Sequence, residues 1–564
     1  MKKFHPFLLS LVSGLLLFAA WPPSPLTLLI FLAFVPLLWL EQQGIRRRKF
    51  FGWVYLTMVI WNASTTWWIW NASEPGAVGA ILANSFLMCL PWLGFHFIKA
   101  RLGAKIGYPA LVALWLTFEY IHLHNWGLSW PWLTLGNVFA NHPGWVQWYE
   151  ITGASGGTLW ILVLNISIFQ LISKNSKRAS GSLSGTARFR PRRTVSKQVL
   201  RRPQTLDSRT LPTLALGRTL ALFSGPLLLS SIVAPSKDQP QVSHTGSAPT
   251  SNVVIIQPNI DPYEKISTGS FDAMLGKLIR ISDSAIDSST ALVVWPETAV
   301  FMENGINEDN MKSNFFLNPL WDFLRRHPQI NLLTGVESYR TYRAGAQSST
   351  ARPVPNTDLY VDDYNAAVLM DSTGPLHFYH KSMLVPGVET LPFFLHFLDA
   401  WFEKFGGTTA GYTGQPDRTP LATSNHSFTI APAVCYESIY GEFMSRYIKN
   451  GADLIAIITN DGWWGDTPGY HQHEAYARLR AIETRHWVVR SANTGVSCII
   501  DPSGSIVQSR PWDQASFIKA YVPPIHKETF YVKYIDIVSW LAVIATIALV
   551  IGTPVLIIKK KRHG

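Results

Sequence analysis

The sequence predicts two parts of different fold class: a polytopic α-helical membrane domain of about eight spans, and an extracytoplasmic α/β domain. The first observation is composition, because 48% of the 564 residues are hydrophobic and only 15% are charged, which is too apolar for a soluble enzyme. The second is a change near residue 251, where long apolar stretches give way to short β-rich runs and amphipathic helices. The third is that basic residues cluster beside the apolar stretches.

Apolar stretches of about bilayer length, roughly 20 residues, predict the spans. They lie near 7–21, 25–41, 50–70, 77–98, 107–123, 157–173, 214–234 and 534–558. A cleaved signal peptide is the alternative for the first, since Lys2 and Lys3 precede it and it ends in Ala-Ala. Trp21 and the prolines after it suit cleavage poorly, so we prefer a span.

The basic runs orient these spans. If Lys2 and Lys3 are cytoplasmic and the spans alternate, every basic run lies on the cytoplasmic side. Both termini are then cytoplasmic, and the polar half lies on the other side of the membrane. The predicted domains are a membrane domain with seven spans (1–234, with a basic cytoplasmic loop at 174–212), a linker (235–250), an α/β domain (251–530), a C-terminal transmembrane helix (534–558) and a basic cytoplasmic tail (559–564).

The formal net charge of +12 does not indicate nucleic-acid binding, because the basic runs already have a topological role. The loop from Lys174 to Arg209 is rich in Ser, Arg and Gly and is predicted to be disordered. Glu119, near the end of the fifth stretch, is either an intramembrane functional acid or an interfacial residue beside Tyr120 and His122. The interfacial interpretation is preferred.

Three reactive side chains follow apolar, strand-like runs of the polar half. Glu297 comes after Ala291 to Pro296, Lys381 after Phe378-Tyr-His, and Cys435 after Phe428 to Val434. Strands that are apolar on both faces predict a covered α/β sheet, with reactive groups beyond the strand ends. The turn at Cys435 precedes a predicted helix, and such a turn favours thiolate over thiol. A buried structural cysteine is the alternative.

The chemistry of this set is coherent. Glu297 can remove the thiol proton, Cys435 can attack a carbonyl, and Lys381 can support the developing oxyanion. Cys498 is predicted in the core and Cys89 inside a span. A Cys435–Cys498 disulfide would inactivate the enzyme.

His471 and His473 have no carboxylate or cysteine at zinc-ligand spacing. We therefore predict neither a metal nor a cofactor.

Several motifs together resemble the nitrilase (carbon–nitrogen hydrolase) superfamily, and with the flanking spans the chain resembles the apolipoprotein N-acyltransferase family of bacterial inner membranes. The motifs are Trp295-Pro-Glu297, His380-Lys381-Ser-Met-Leu-Val-Pro386, Cys435-Tyr436-Glu437, Asn460-Asp461-Gly-Trp-Trp-Gly-Asp466, Gln257-Pro-Asn-Ile, Gln472-His473, Ala477 to Glu483, Arg490 to Gly495, and the loop Trp126 to Leu133.

The resemblance implies an αββα sandwich. It implies Glu297 as general base, Lys381 as oxyanion stabiliser and Cys435 as nucleophile. The residues it implies as supporting the site or binding substrate are Glu389, Tyr436 and Glu437.

Asn460, Trp463 and Trp464 line the pocket or form a turn. Two departures stand out. The chain has Pro386-Gly-Val-Glu389-Thr390 where the family reads Pro-Phe-Gly-Glu-Tyr. A family Trp after the first strand is absent, so its contact is either lost or supplied by Tyr263.

The resemblance also implies the reaction. A fatty acyl chain passes from a phospholipid to Cys435 as a thioester, and then to the α-amine of the diacylglyceryl cysteine of an apolipoprotein. The predicted location is the bacterial inner membrane, with the catalytic domain periplasmic and the protein a monomer. The alternatives are a membrane-tethered amidase or nitrilase that hydrolyses small amides, and a non-catalytic scaffold.

The apolar segment 391–402 follows the Lys381 loop and carries Phe393 and Phe394. It is predicted to lie at the membrane surface and guide lipid, because it would otherwise form an exposed apolar patch. A helix packed in the sandwich core is the alternative.

Overall fold

The computed structural model describes residues 4–124, 126–182, 210–235, 251–263, 270–343, 345–390 and 411–562. For residues 174–182, 210–213 and 560–562 the description covers the backbone alone. The prediction for Phe393 and Phe394 in segment 391–402 therefore lies outside the described residues, as do the basic loop from 183 to 209 and the linker from 236 to 250.

The described residues before 236 are mainly helical. Its helices are α1 (Pro6–Ala20), α2 (Val35–Gln42), α3 (Arg47–Thr66), α4 (Ile69–Ala72), α5 (Glu74–Leu102), α6 (Ala104–His122), α7 (Tyr149–Thr152), α8 (Ala154–Ser182) and α9 (Thr210–Val233). Each of the first seven predicted spans falls on one or more of these helices. By length and composition, four described helical stretches can cross a membrane, namely Glu74–Leu102, Ala154–Ser173, Leu214–Val233 and the C-terminal Ile537–Lys559. The total of about eight spans stays a prediction.

The second predicted span is not one continuous helix. A 3-10 turn, Thr27–Phe31, precedes α2. Pro36 stands in the first turn of α2, where its missing N–H is tolerated. Asn165 of α8 accepts a hydrogen bond from the Phe34 N–H at 2.8 Å and donates one to the Ile30 carbonyl at 2.9 Å. The neighbouring helix thus gives the Phe34 N–H its acceptor and adds a second donor to the Ile30 carbonyl, which also accepts from the Ala33 N–H at 3.3 Å.

The polar half forms two sheets. Its strands are β1 (Asn252–Gln257), β2 (Thr290–Val294), β3 (Ile306–Asn307), β4 (Asn331–Tyr342), β5 (Arg352–Pro353), β6 (Tyr360–Met370), β7 (Leu376–His380), β8 (Leu421–Ala422), β9 (Thr429–Val434), β10 (Leu454–Thr459), β11 (Val488–Ala492), β12 (Cys498–Ile500), β13 (Ile506–Ser509) and β14 (Ser516–Tyr521). Within the described residues one sheet has the order β14-β1-β2-β4-β6-β5, with β3 on β4 and β7 on β6. The other has the order β13-β12-β11-β10-β9-β8.

Alternate residues of β1 show how the layers stack. Val253 and Ile255 belong to a core shared with β9 and β10 of the other sheet. Val254 and Ile256 belong to a second core with the outer helices. Both faces of the strand are therefore buried, as the continuous apolar runs predicted.

The helices of this half cover the sheets and end the chain. They are α10 (Phe271–Ala285), α11 (Asn318–Arg326), α12 (Gly441–Lys449), α13 (Pro468–Thr484), α14 (Phe530–Tyr534) and α15 (Ile537–Arg562). Helices α10 and α11 pack on the outer face of the first sheet, while α12 and α13 contribute to the core that contains the second sheet. The nitrilase-like αββα architecture predicted for this half is confirmed.

Helix α13 also contacts the helical N-terminal part of the chain, residues 4–235, which we call the membrane part. The indole of Trp21 donates a hydrogen bond to the Tyr476 hydroxyl at 2.9 Å, and that hydroxyl donates to the Trp132 carbonyl at 3.0 Å. Gln472 accepts from the Trp132 indole at 2.7 Å and donates to the Pro22 carbonyl at 2.9 Å. The two parts are therefore joined by buried, directional hydrogen bonds rather than by the chain alone.

Candidate active site

Three side chains follow the carboxyl ends of three strands. Glu297 lies just beyond β2, Lys381 follows β7 directly and Cys435 follows β9 directly. The structure brings Glu297 and Lys381 into contact, and the charges of both act on the Cys435 thiol. The two sheets therefore meet at this acid, amine and thiol.

The Lys381 ammonium group has two carboxylate partners. Its Nζ lies 2.8 Å from Glu389 Oε1 and 3.4 Å from Glu297 Oε1, and all three side chains are buried. Burial alone would lower the pKa of Lys381, but Glu389 and Glu297 outweigh burial and raise it. Lys381 is therefore a permanent cation at the centre of the site.

Glu297 is held from both sheets. Its Oε1 accepts from Asn365 Nδ2 at 2.9 Å, and its Oε2 accepts from the Asn460 backbone N–H at 3.2 Å. Gly335 permits this placement, because a Cβ there would lie 2.6 Å from the Glu297 Cα. The acid is fixed by backbone packing as well as by hydrogen bonds.

Asn365 is a site residue that the sequence reasoning missed. It lies in β6, and its Nδ2 donates to Glu297 Oε1 and, at 3.0 Å, to Glu389 Oε1. One amide nitrogen thus bridges two carboxylates that would otherwise repel each other. The polar residue within the apolar run Asn365 to Met370 was the available signal.

The turn at Cys435 differs from the prediction. Cys435 opens a 3-10 turn, Cys435–Ile439, and the helix begins only at Gly441. Burial raises the pKa of the Cys435 thiol, and the carboxylate of Glu297 raises it further, although Lys381 opposes both. The expectation that this turn favours thiolate is therefore wrong, because loss of solvent outweighs the local positive groups.

Glu437 ties the Cys435 turn to the Lys381 loop. Its Oε1 accepts from the Tyr379 hydroxyl at 2.6 Å and from the backbone N–H groups of Ser382 at 2.7 Å and Met383 at 3.1 Å. Its Oε2 accepts from the Val434 N–H at 2.8 Å. Glu437 therefore fixes the strand ends that carry the amine and the thiol.

Aromatic rings from both parts of the chain form one cluster that includes Tyr436 of the Cys435 turn. We call Trp68, Trp130, Trp132, Tyr436 and Trp464 the aromatic wall. Tyr436 stacks on Trp130 with ring centroids 5.8 Å apart, and Trp130 stacks on Trp132 at 5.6 Å. Trp464 lies 4.8 Å from Trp68 and 5.6 Å from Trp132. The wall joins the turn to the membrane part with apolar surface.

Trp463 lies apart from this wall. Its ring meets Tyr263 edge to face at 5.4 Å, and the Tyr263 hydroxyl donates to the Asn71 carbonyl at 2.8 Å. Tyr263 thus links the loop after β1 to the membrane part, through its contact with Asn71.

A second missed group lies behind the turn. Arg490, Asp461 and His473 are fully buried and contact one another. His473 Nε2 lies 3.1 Å from the Cys435 carbonyl oxygen. From the sequence, His473 was only part of a family motif and a possible zinc ligand, and no group of three or more potential metal ligands occurs in the described part of the chain.

The remaining predictions concern cysteines and Glu119. All three cysteines are free and buried, so Cys435 and Cys498 form no disulfide. Glu119 is buried, and it accepts hydrogen bonds from the Trp115 indole at 2.9 Å and from Thr158 Oγ1 at 2.7 Å. Protein donors therefore replace water around Glu119, and its interfacial location stays a prediction.

The arrangement suits covalent acyl chemistry. A thiol held protonated by burial needs a base at the moment of attack, and a carboxylate is in place. An ammonium group beside both can stabilise an oxyanion.

Comparison with known proteins gives the family. A model of the carbon-nitrogen hydrolase family matches residues 252–524, and a model of the apolipoprotein N-acyltransferase N-terminal domain matches residues 13–167. Apolipoprotein N-acyltransferase of Chlorobaculum tepidum is 28% identical over 547 residues, covering 94% of this chain and 93% of the relative. That of Azotobacter vinelandii is 26% identical over 544 residues, covering 93% and 91%.

Among solved structures, Saccharomyces cerevisiae Nit3 of the nitrilase superfamily aligns with 17% identity and a TM-score of 0.36, covering 50% of this chain and 93% of Nit3. The two domain models and the relatives agree along most of the sequence. The chain therefore belongs to the apolipoprotein N-acyltransferase family.

Proposed function

We propose that this protein acylates the N-terminal α-amine of the S-diacylglyceryl cysteine of apolipoproteins, through a thioester on Cys435 and with a phospholipid as acyl donor. The observation that carries the proposal is the buried set of Glu297, Lys381 and Cys435 beside an aromatic wall that the membrane part helps to build. Relatives named apolipoprotein N-acyltransferase along nearly the whole chain support it.

The first half-reaction is acyl transfer to the thiol. Glu297 accepts the proton of the Cys435 S–H as the sulfur attacks the ester carbonyl carbon of the phospholipid. Lys381 donates a hydrogen bond to the tetrahedral oxyanion. The C–O bond then breaks, the proton passes from Glu297 to the departing oxygen, and a lysophospholipid leaves behind a thioester.

The second half-reaction returns the thiol. The α-amine of the acceptor attacks the thioester carbonyl, and Lys381 again donates a hydrogen bond to the oxyanion. The amine gives a proton to Glu297, the C–S bond breaks, and the departing sulfur takes that proton. The product carries an amide, and the enzyme is ready for another phospholipid.

Water is excluded where these steps occur. Cys435 is buried, and its neighbour Tyr436 lies against Trp130 while its hydroxyl donates to the Ser129 carbonyl at 2.8 Å. An apolar surface beside the thiol suits acyl chains and disfavours hydrolysis of the thioester. This argues for an amine acceptor rather than for the small-amide amidase, which only a distant likeness of the catalytic half supports. The intact acid, amine and thiol set argues against a scaffold.

The proposal extends to topology and assembly. The catalytic domain, residues 251–530, faces the periplasm from the inner membrane, and both termini are cytoplasmic because the basic runs then share one side. Membrane spans at 1–234 and 534–558 flank it, and the protein acts as a monomer.

Intact-mass measurement of the purified full-length protein tests this function. After incubation with phospholipid vesicles, we expect a mass increase of one fatty acyl group, located on the peptide that contains Cys435. Addition of a diacylated lipopeptide with a free α-amine should remove the increase and produce a triacylated lipopeptide.

The matched controls are two cysteine variants. Cys435→Ala should gain no acyl group, whereas Cys498→Ala should behave as the wild type, since Cys498 is buried in β12. Absence of acylation in the wild type, or discharge by water as fast as by the amine, would refute the proposal.

A further inference from the structure

The carbonyl of the nucleophile itself is held by two donors. Ser438 Oγ donates to the Cys435 carbonyl oxygen at 2.8 Å, and His473 Nε2 lies 3.1 Å from the same oxygen. Cys435 has a φ of +53°, in the left-handed region that non-glycine residues rarely adopt. Such a conformation persists only where surrounding groups fix it.

His473 is itself held by a buried ion pair. Its Nδ1 lies 3.0 Å from Asp461 Oδ1 and 3.0 Å from Arg490 Nη2. Arg490 Nη2 lies 2.7 Å from Asp461 Oδ2, and Arg490 Nη1 donates to the Val496 carbonyl at 2.6 Å. The chain of contacts therefore runs from β11, through the turn after β10 and helix α13, to the nucleophile.

The hydrogen positions follow from the acceptors. His473 Nε2 lies 3.1 Å from the Cys435 carbonyl oxygen and 3.0 Å from Ser438 Oγ. A carbonyl oxygen carries no hydrogen, so a hydrogen bond between His473 and that carbonyl places the hydrogen on Nε2, and this is the tautomer that the inference uses. Nδ1 can then accept from Arg490, or carry a second hydrogen toward Asp461. In both cases His473 donates to the nucleophile's backbone.

We propose that His473, oriented by Asp461 and Arg490, is a positioning residue that holds the Cys435 backbone in its left-handed conformation and so aims the thiol between Glu297 and Lys381. This inference rests on the proposed acyl transfer. His473 touches neither a substrate nor the sulfur in this scheme, and it acts only through the Cys435 carbonyl. Small displacements of reacting groups cost about 10²-fold in rate, which makes such a clamp kinetically visible.

Two amide variants distinguish the contact made by Nδ1 of the imidazole from the contact made by Nε2. In His473→Gln the side-chain amide reaches about as far as Nε2 and can still donate to the Cys435 carbonyl. In His473→Asn the amide reaches only as far as Nδ1, so it can contact Asp461 but not that carbonyl. The measurement is the single-turnover rate of Cys435 acylation by phospholipid vesicles, followed by intact mass, with the melting temperature recorded for each protein.

The expected pattern is asymmetric. His473→Asn should acylate about 10²-fold more slowly than the wild type, with an unchanged KM for phospholipid, and His473→Gln should recover most of that loss at a similar melting temperature. Ser438→Ala, which removes the other donor and leaves the ion pair intact, should lose less than His473→Asn.

Equal acylation rates in the Asn and Gln variants, or a wild-type rate in His473→Asn, would overturn the inference. The wild type and Cys435→Ala are measured in the same series. No acylation in the wild type would instead refute the proposed function, so the two failures are distinguishable.

Discussion

The ammonium group of Lys381 lies closer to Glu389, at 2.8 Å, than to Glu297, at 3.4 Å. Glu389 is therefore the main counter-ion of the lysine. This leaves the Glu297 carboxylate less closely paired with Lys381 than Glu389 is. The two carboxylates therefore differ in role: Glu389 neutralises Lys381, and Glu297 is the candidate base.

Glu389→Gln tests this separation. Without the charge of Glu389, Lys381 must pair with Glu297 alone, so the Glu297 carboxylate is drawn to the ammonium group and acylation of Cys435 slows. We expect a loss approaching that of Glu297→Gln, which removes the base itself and should cost about 10²–10⁴-fold. The measurement is the single-turnover acylation rate, with the exposed Glu303→Gln as the control. A wild-type rate in Glu389→Gln would contradict the assignment.

Asn365→Asp should damage the same cluster in another way. The change replaces the amide that bridges Glu297 and Glu389 by a third carboxylate. Like charges in a buried site destabilise the fold, and the added carboxylate cannot donate to Glu297, so we expect a lower melting temperature and slower acylation. Asn356→Asp, at an exposed turn, is the control. Equal melting temperatures in the two variants would exclude the bridging role.

The strand-end residues could be predicted from sequence because Glu297 and Cys435 each follow an uninterrupted apolar run, and Lys381 follows the strand-like Phe378-Tyr-His. Reactive groups beyond the strand ends of an α/β sheet are expected to lie at related sheet edges. The positions of these three residues at strand ends therefore follow from the pattern of apolar strands in the sequence.

The rest of the site depends on long-range pairing, which carries no local signal. Arg490 and Asp461 lie 29 residues apart and meet only because β10 and β11 are adjacent strands. The edge strand β14 was missed for the same reason, since it pairs with β1 far away in the sequence. The helix after Cys435 began later than predicted, because Ser438, Ile439 and Tyr440 give no clear start signal and Gly441 opens the helix instead.

Gln472→Ala should weaken the contact between the two parts of the chain. It removes the acceptor of the Trp132 indole, which is buried, and the donor to the Pro22 and Thr65 carbonyls. A buried donor left unpaired costs about 1–3 kcal/mol. We expect a lower thermal unfolding temperature in lipid nanodiscs. The neighbouring His471→Ala, at an exposed position, should unfold as the wild type does, and equal stabilities would argue against the contact.

Stability should depend on pH through Glu483. Burial raises the pKa of Glu483 to about 7 from an ordinary value of 4.5, although Arg480 opposes this. The folded state therefore binds this proton more tightly than the unfolded state. The resulting stabilisation is complete below about pH 4.5 and is lost as the pH rises toward 7.

Glu483→Gln keeps an acceptor for the Ala154 N–H, which lies 3.0 Å from Glu483 Oε1, but it cannot ionise. The difference in melting temperature between pH 5 and pH 7.5 should therefore shrink in this variant relative to the wild type. The exposed Glu528→Gln serves for comparison. An unchanged difference would show that Glu483 does not titrate in this range.

Gln472 and His473 are consecutive residues of α13, yet they serve opposite ends of the molecule. Gln472 donates to the Pro22 and Thr65 carbonyls of the membrane part, and His473 contacts the Cys435 carbonyl. A displacement of those carbonyls relative to α13 would act on Gln472, and one peptide bond joins Gln472 to His473. A change in the packing of the N-terminal helices against α13 therefore has a short route to the nucleophile, through adjacent side chains of one helix.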